Sequence, residues 1–328
     1  MFKFERFHNL NYKSNFPLSA LSTGFVDNKK MQREKRFQGT QGNKSSINNY
    51  NNSNNNNNNN SNMYIEDKEL DWDALTIKGT SQELEKAYLR LTSAPEPSTV
   101  RPEPILKKSL QMLKEKWNKT PDYLYTCEQL KSIRQDLTVQ RIINEFTVQV
   151  YEYHGRLALE NGDLGEFNQC QTQLKSLYEE GFSGCNLEFL AYRLLYHIFQ
   201  NSSFDISKNL AEITPNNKNN NAVKHALKVR EAVAMNNYHQ LFQLYNKTPN
   251  CGRYLIDKFI KQARIQAFNT MLRAYKPTPL PIIWLQSELA FSDMKSCIQF
   301  INENNLVTTH DQETKQLMID TKSCSNIT

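Results

Sequence analysis

The stretch Val139–Leu177, VQRIINEFTVQVYEYHGRLALENGDLGEFNQCQTQLKSL, decides the architecture. Ile142, Phe146, Val150, Tyr153 and Leu157 step by 4, 4, 3 and 4 residues, which predicts a helix with one buried stripe. Asn161–Gly162–Asp163 breaks that helix, Asp163 is suited to cap the next one, and Phe167, Leu174 and Leu177 lead the chain back. The same order recurs at Ala232–Tyr245, AVAMNNYHQLFQLY, with Asn236 and Asn237 at the turn. These are antiparallel helical hairpins with no strict period between them. The expected fold is mainly α, an irregular TPR-like helical solenoid.

Upstream of the solenoid, Tyr88–Leu110 (YLRLTSAPEPSTVRPEPILKKSL) holds Pro95, Pro97, Pro102 and Pro104 within ten residues. Each proline fixes φ and disfavours helix in the residue before it, so this segment reads as an extended strap. A short helix is expected before it, starting near Ser81 with Leu84 behind it, and helical periodicity begins at Pro104. Between Asn48 and Asn62, twelve of fifteen residues are Asn. Nothing apolar there offsets an ordering entropy of roughly 1–2 kcal/mol per residue, so the tract reads as disordered. Lys276–Pro281 closes a long helix and opens another with proline at a first-turn position. IIWLQSELAF and DMKSCIQFINENN predict two short helices, the second capped by Ser292, and LVTTH and KQLMIDTK predict a hairpin joined by DQET. Two helices and a two-stranded wing follow a winged-helix order. The expected divisions are a disordered basic, Asn-rich tail (1–62), a short helix and proline-rich strap (63–104), a helical solenoid (105–276) and a C-terminal winged helix (277–328).

Charge divides the chain unevenly. Residues 1–62 carry nine Lys/Arg against three Asp/Glu, which accounts for the formal net charge of +6 over 328 residues. Residues 122–212 carry thirteen acids and seven bases, whereas 218–276 carry eleven bases and two acids. A basic surface of that kind suits a polyanion or an acidic partner. On the helix Arg253–Tyr275, Ile256, Phe259, Ile260, Ala263, Ala267 and Ala274 fall on one side at 100° per residue. Lys258, Lys261, Arg273 and Lys276 fall opposite, flanked by Arg253 and Arg264, with Lys224, Lys228 and Arg230 as neighbours. These cations form either a solvated outer face or a set of phosphate contacts to RNA or DNA.

Other chemistry is scarcely represented. No G-x-G-x-x-G or G-x-x-x-x-G-K loop occurs, and no metal-ligand set at short spacing, so no catalytic residue, metal or cofactor is expected. His154, Cys170 and Cys185 lie on helices, where core packing is the commoner role. Gly162–Gly165, GDLG, matches the loop spacing of KH domains, but Asp163 opposes a nucleic-acid backbone and turn chemistry explains it better. Six scattered cysteines without a C-x-x-C pair point to a reducing compartment. No apolar run approaches the ~20 residues of a membrane span, and no membrane association is expected. Lys29–Arg36, KKMQREKR, is either a nuclear-import patch or a chance cluster.

The strap, Ser132–Gly181 and Cys251–Pro277 together resemble the GANP-type mRNA-export scaffold family of the PCI superfamily, most of all its leukocyte receptor cluster member eight branch. The likeness covers Trp72 to Lys322, with SIRQDLTVQ beside the strap as its most specific run. The Asn-rich N-terminus takes no part in it, and the long N-terminal extension of the animal members is expected to be missing. The resemblance implies a PCI module: a non-enzymatic scaffold whose winged helix pairs with that of another PCI-domain protein, clamped by a small acidic Dss/Sem-type protein. It implies a composite nucleic-acid surface, a role in mRNA processing, splicing or export, and a nuclear location with shuttling to the cytoplasm.

On that reading the strap crosses the first solenoid helices, anchored by Leu89, Leu91, Val100 and Ile105. Arg134, Gln135 and Asp136 form a structural network holding the strap. Ile298, Phe300 and Ile301 are core or interface, Leu306 and Val307 support an edge strand, and Lys295, Lys315 and Lys322 are candidate phosphate contacts. Asp293–Asn304 has too few bases for major-groove reading. The alternative function is a structural subunit of a lid- or signalosome-like assembly whose basic residues meet an acidic protein and no RNA.

Overall fold

The computed structural model describes residues 76–310 and 316–324. The expected tail and the DQET connection lie outside them. The mainly α solenoid expected from the sequence is what the chain forms, with eleven α-helices among the described residues. These are α1 (Glu103–Lys119), α2 (Tyr123–Val139), α3 (Glu145–Glu160), α4 (Leu164–Glu179), α5 (Asn186–Phe199), α6 (Ser203–Ala211), α7 (Asn221–Ala234), α8 (Tyr238–Asn246), α9 (Gly252–Tyr275), α10 (Ile282–Glu288) and α11 (Met294–Glu303).

Sharp turns between helices come from a repeated two-residue device. A left-handed residue ends one helix and a side-chain cap starts the next: Gly162 then Asp163, Asn201 then Ser202, Asn236 then Asn237. Glycine and asparagine tolerate positive φ, and Asp, Ser and Asn accept a first-turn N–H, so each pair reverses the chain in minimal length. Asp163, for example, accepts from the Glu166 N–H at 3.0 Å.

Successive helices α1 to α4 pack side by side, and α5 is then enclosed by α6, α7 and α9. Apolar residues cover α5 nearly all round, and Phe189, Leu190, Ala191, Tyr192, Leu194, Leu195 and Ile198 are all buried. Two apolar clusters result, one of α1–α3 around Leu106, Leu130 and Ile133, the other running from α3 to the C-terminal region. Helix α3 serves both, with Phe146, Val150 and Leu157 in the first and Val148, Ala158 and Leu159 in the second. The single stripe expected for it is therefore two. Ile142 also lies outside the helix, because Arg141 at φ 52° and the Asn144 cap divide α2 from α3.

The expected helix near Ser81 is absent. Residues 81–96 run without helix, and the segment folds back through Thr80 N–H to Pro97 O and Ser81 N–H to Val100 O, both 2.9 Å. Val100 and Ile105 are buried, whereas Leu89 and Leu91 are 66% and 41% exposed and are not anchors. Apolar burial holds the strap at Val100 and Ile105, and hydrogen bonds hold it where Leu89 and Leu91 were expected to do so, as Gln135 does at the Leu89 carbonyl.

After α9 the chain forms β1 (Leu280–Pro281), α10, α11, β2 (Thr308–His310) and β3 (Leu317–Ile319). The sheet order is β1-β3-β2, antiparallel throughout, with Ile319 opposite both Leu280 and Thr308. The sequence reading missed β1, a two-residue strand visible only through its partner. Asp293, not Ser292, caps α11, accepting from the Ser296 N–H at 2.8 Å, while Ser292 donates to the Asp293 carboxylate.

Candidate nucleic-acid interface

Helix α9 runs 24 residues, and its inner side buries Leu255, Ile256, Ile260, Ala267, Phe268, Met271 and Leu272. Phe259 and Ala263 are half-buried, and Ala274, expected inside, is exposed near the helix end. Arg253, Lys258, Lys261, Arg273 and Lys276 are exposed. Arg253 lies 4.5 Å over the Tyr245 ring, whose hydroxyl donates to Asp257 at 2.5 Å. Lys258 donates to the Gly162 carbonyl at 3.2 Å, and Lys261 is 3.6 Å from Glu303.

Arg264 departs from its expected role. It donates to the Leu289 and Ala290 carbonyls at 2.9 and 2.7 Å and lies 4.1 Å over the Phe291 ring. Burial pulls its guanidinium below the ordinary value, with Tyr245 and Asp257 opposing. Its donors serve carbonyls at the end of α10, so it fastens α9 to the C-terminal region.

Charge is distributed differently in the two halves. Between 122 and 212, Lys131, Arg134, Arg156, Lys175 and Arg193 all pair with carboxylates. Among the eleven bases of 218–276, Lys261 alone forms an ion pair among the described residues. The acidic half consumes its cations in folding. The basic half, Arg264 apart, leaves its cations exposed to solvent.

Lys295 is exposed on α11, Lys322 lies after β3, and Lys315 falls outside the described residues. Ile298 and Val307 are 37% and 43% exposed and Leu306 is half-buried, but Ile301 is 2% exposed and Phe300 packs on Phe268 and Phe291. Ile301 is thus a core residue unavailable to a partner. Ile283, 60% exposed at the start of α10, was missed because the periodicity of so short a helix does not define a face.

Arg134, Gln135 and Asp136 point to three different places. Gln135 donates to the Leu89 carbonyl of the strap at 2.7 Å. Arg134 turns the other way, to Glu166 on α4 at 2.8 Å and Cys170 at 3.1 Å. Asp136 accepts from Arg101 on the strap at 2.7 Å and from Lys86, just ahead of the strap, at 2.6 Å, and Arg101 also donates to Ser132 and the Leu84 carbonyl. Arg101 is fully buried and was not singled out from sequence, since nothing nearby marks its partner 35 residues away.

Among the described residues, one group of potential metal donors meets in the core: Cys127, His154 and Glu166, each with a ligand atom within 4.8 Å of the others. Their separations in sequence, 27 residues from Cys127 to His154, hide them from spacing arguments. Burial, then Arg134 and Lys131, pulls His154 to about 2, and burial raises the Cys127 thiol. Both Glu166 oxygens are engaged, by Lys131 at 2.9 Å and Arg134 at 2.8 Å. Two cations on the only carboxylate oppose a third, so the donor set suits a polar core better than a metal, although His154 Nδ1 is buried without a hydrogen-bond partner.

A family profile described as SAC3/GANP matches residues 65–310. The chain is 53% identical over 238 residues to the leukocyte receptor cluster member 8 homolog of Xenopus laevis, covering 73% of this chain and 30% of that protein. It is 49% identical over 257 residues to the THP3 homolog of Schizosaccharomyces pombe, covering 78% and 65%, and 35% identical over 254 residues to protein THP3 of Saccharomyces cerevisiae, covering 74% and 53%. The chain thus spans between about a third and two thirds of the length of these relatives.

Proposed function

The chain belongs to the SAC3/GANP family, and from that premise we propose that it is a non-enzymatic PCI-type scaffold presenting an RNA-binding surface in nuclear mRNA processing, splicing or export. The observation that carries the RNA reading is the unneutralised charge of residues 218–276, where one base in eleven is paired. Solvent-facing cations without internal carboxylates attract a polyanion and release its counterions on binding. Arg253, Lys258, Arg273, Lys276 and Lys295 are the proposed phosphate contacts, and Lys315 stays with them as a proposal from sequence. Arg264 is excluded from the phosphate contacts and Ile301 from the partner surface because the fold uses them, and Lys261 is left out because Glu303 lies 3.6 Å from it.

The C-terminal unit from β1 to β3 is the proposed winged helix, through which a second PCI-domain protein pairs. Exposed Ile283, Ile298 and Val307 support that partner surface, since apolar side chains grouped on a small unit favour burial. A small acidic Dss/Sem-type protein completes the proposed assembly, in the nucleus with shuttling to the cytoplasm.

The test is binding of the full chain to single-stranded RNA across a salt series, with and without a PCI partner. Charge reversal at Lys258, Arg273 and Lys276 is expected to lower affinity and to reduce the slope of log K against log salt by about 0.7 for each phosphate that is no longer neutralised. Failure to bind the protein partner with unchanged RNA affinity would instead support the purely structural lid-type subunit.

A further inference from the structure

Beside the basic stripe of α9 runs a groove of about 720 Å³, walled by α7, α8 and α9 and closed at one end by the turn after α5. Its floor is apolar, with Val233, Leu241, Phe259 and Ala263. Its rim is polar, and no carboxylate lines it. Gln262, Gln266 and Arg273 recur along α9 at helical spacing, so Arg273 shares the side of Phe259 and Ala263 and is not opposite them as expected from the sequence, and Asn201 and Asn236 face them from neighbouring turns. Among the described residues, no hydrogen bond engages the Gln262 or Gln266 side-chain amide, and no ion pair engages Arg273.

Tyr238 stands in the same wall. Burial, then Glu288 and Tyr275, raises its phenol. Tyr275 is 43% exposed, and its ring centroid lies 5.6 Å from that of Trp284. The groove ends at Arg273, and α9 carries the exposed Tyr275 and Lys276 two and three residues beyond it.

We propose that this groove seats unpaired nucleobases of single-stranded RNA, an inference that rests on the RNA reading above and assigns it a substrate form. Each part matches one demand of that ligand. The apolar floor receives base faces, and the amides offer both donors and acceptors to Watson–Crick edges. Arg273 and Lys276 meet the backbone, and Tyr275 with Trp284 gives the strand a stacking surface as it leaves. Paired bases have neither free faces nor free Watson–Crick edges, so a duplex meets the outer cations alone. A lining whose one charged residue is Arg273 favours a polyanionic strand over a neutral or basic peptide, and Glu288, near Tyr238, is engaged by His239.

The experiment compares a fluorescein-labelled oligouridine and oligoadenosine with the same RNA annealed into a duplex, using the full chain. The wild type is expected to bind the single strands more tightly than the duplex. Gln262→Ala with Gln266→Ala, both exposed positions, is expected to weaken single-strand binding about threefold to tenfold, from the loss of one or two modest hydrogen bonds. Duplex affinity and the salt slope should not change. Trp284→Ala should weaken single-strand binding further, and a melting curve for that half-buried position separates folding from binding. Equal affinity for duplex and single strand, or a double variant indistinguishable from wild type, overturns the groove assignment and leaves the charge-based reading standing. Absence of any RNA binding by the wild type at low salt overturns both.

Discussion

Asp136 is 1% exposed and its carboxylate holds Arg101, itself fully buried, together with Lys86. Removing one member of a buried pair strands the other charge and costs about 3–5 kcal/mol. Asp136→Ala is expected to lower the unfolding free energy in urea by that amount. Arg101→Met combined with Asp136→Leu should cost less than either change alone, because no fully buried charge is then left unpaired and the partly exposed Lys86 can turn to solvent. His154 makes a second prediction at this scale. The folded protein holds its pKa down to about 2, against 6.5 unperturbed, through burial and then Arg134 and Lys131. Between those values the unfolded chain binds the proton and the folded chain does not, so stability rises with pH. The contribution is complete above about pH 6.5 and is lost as pH falls, by up to about 1.4 kcal/mol per pH unit. His154→Leu should flatten unfolding free energy against pH in that acid range by its own share, with half-buried His197 and buried His225 retaining theirs. The polar character of SIRQDLTVQ was legible in sequence. Its partners were not, since Arg101 and Glu166 lie on either side of it in the chain, over 30 residues away.

Element ends follow from local chemistry, and most were legible. Asp163, Asn237 and the left-handed Gly162 and Asn236 mark turns through their own backbone preferences, which need no tertiary partner. The break between α2 and α3 was hidden because apolar spacing continues across it through Ile142. Helix α9 shows how one face can mix roles. Arg264 bonds two carbonyls at the end of α10, whereas Arg273 and Lys276 are exposed. Arg264→Ala is expected to lower stability by about 1.5–3 kcal/mol, the value of hydrogen bonds from a charged donor. Arg273→Ala and Lys276→Ala should stay within about 0.5 kcal/mol of wild type, so thermal unfolding separates the two classes.

At the scale of the whole molecule, the solenoid is joined through α3, which packs Phe146 and Val150 into one apolar cluster and Val148 and Leu159 into the other. The same molecule separates its charge, pairing bases inside the acidic half and exposing them beyond residue 218. The predicted salt slope belongs to this scale, because it sums phosphate contacts over a surface and no single lysine sets it. The sequence by itself determined the helical class, the hairpin turns and the division of charge, since periodicity, capping and composition act over a few neighbouring residues. Only the tertiary structure decided which cations stay free, which leucines of the strap remain exposed, and where amides and aromatics gather into one groove. Those outcomes depend on distant segments meeting, as Lys258 meets Gly162 across 96 residues and Arg264 meets Leu289 across 25. A side chain's burial and charge pairing are properties of that meeting, and no local pattern encodes them.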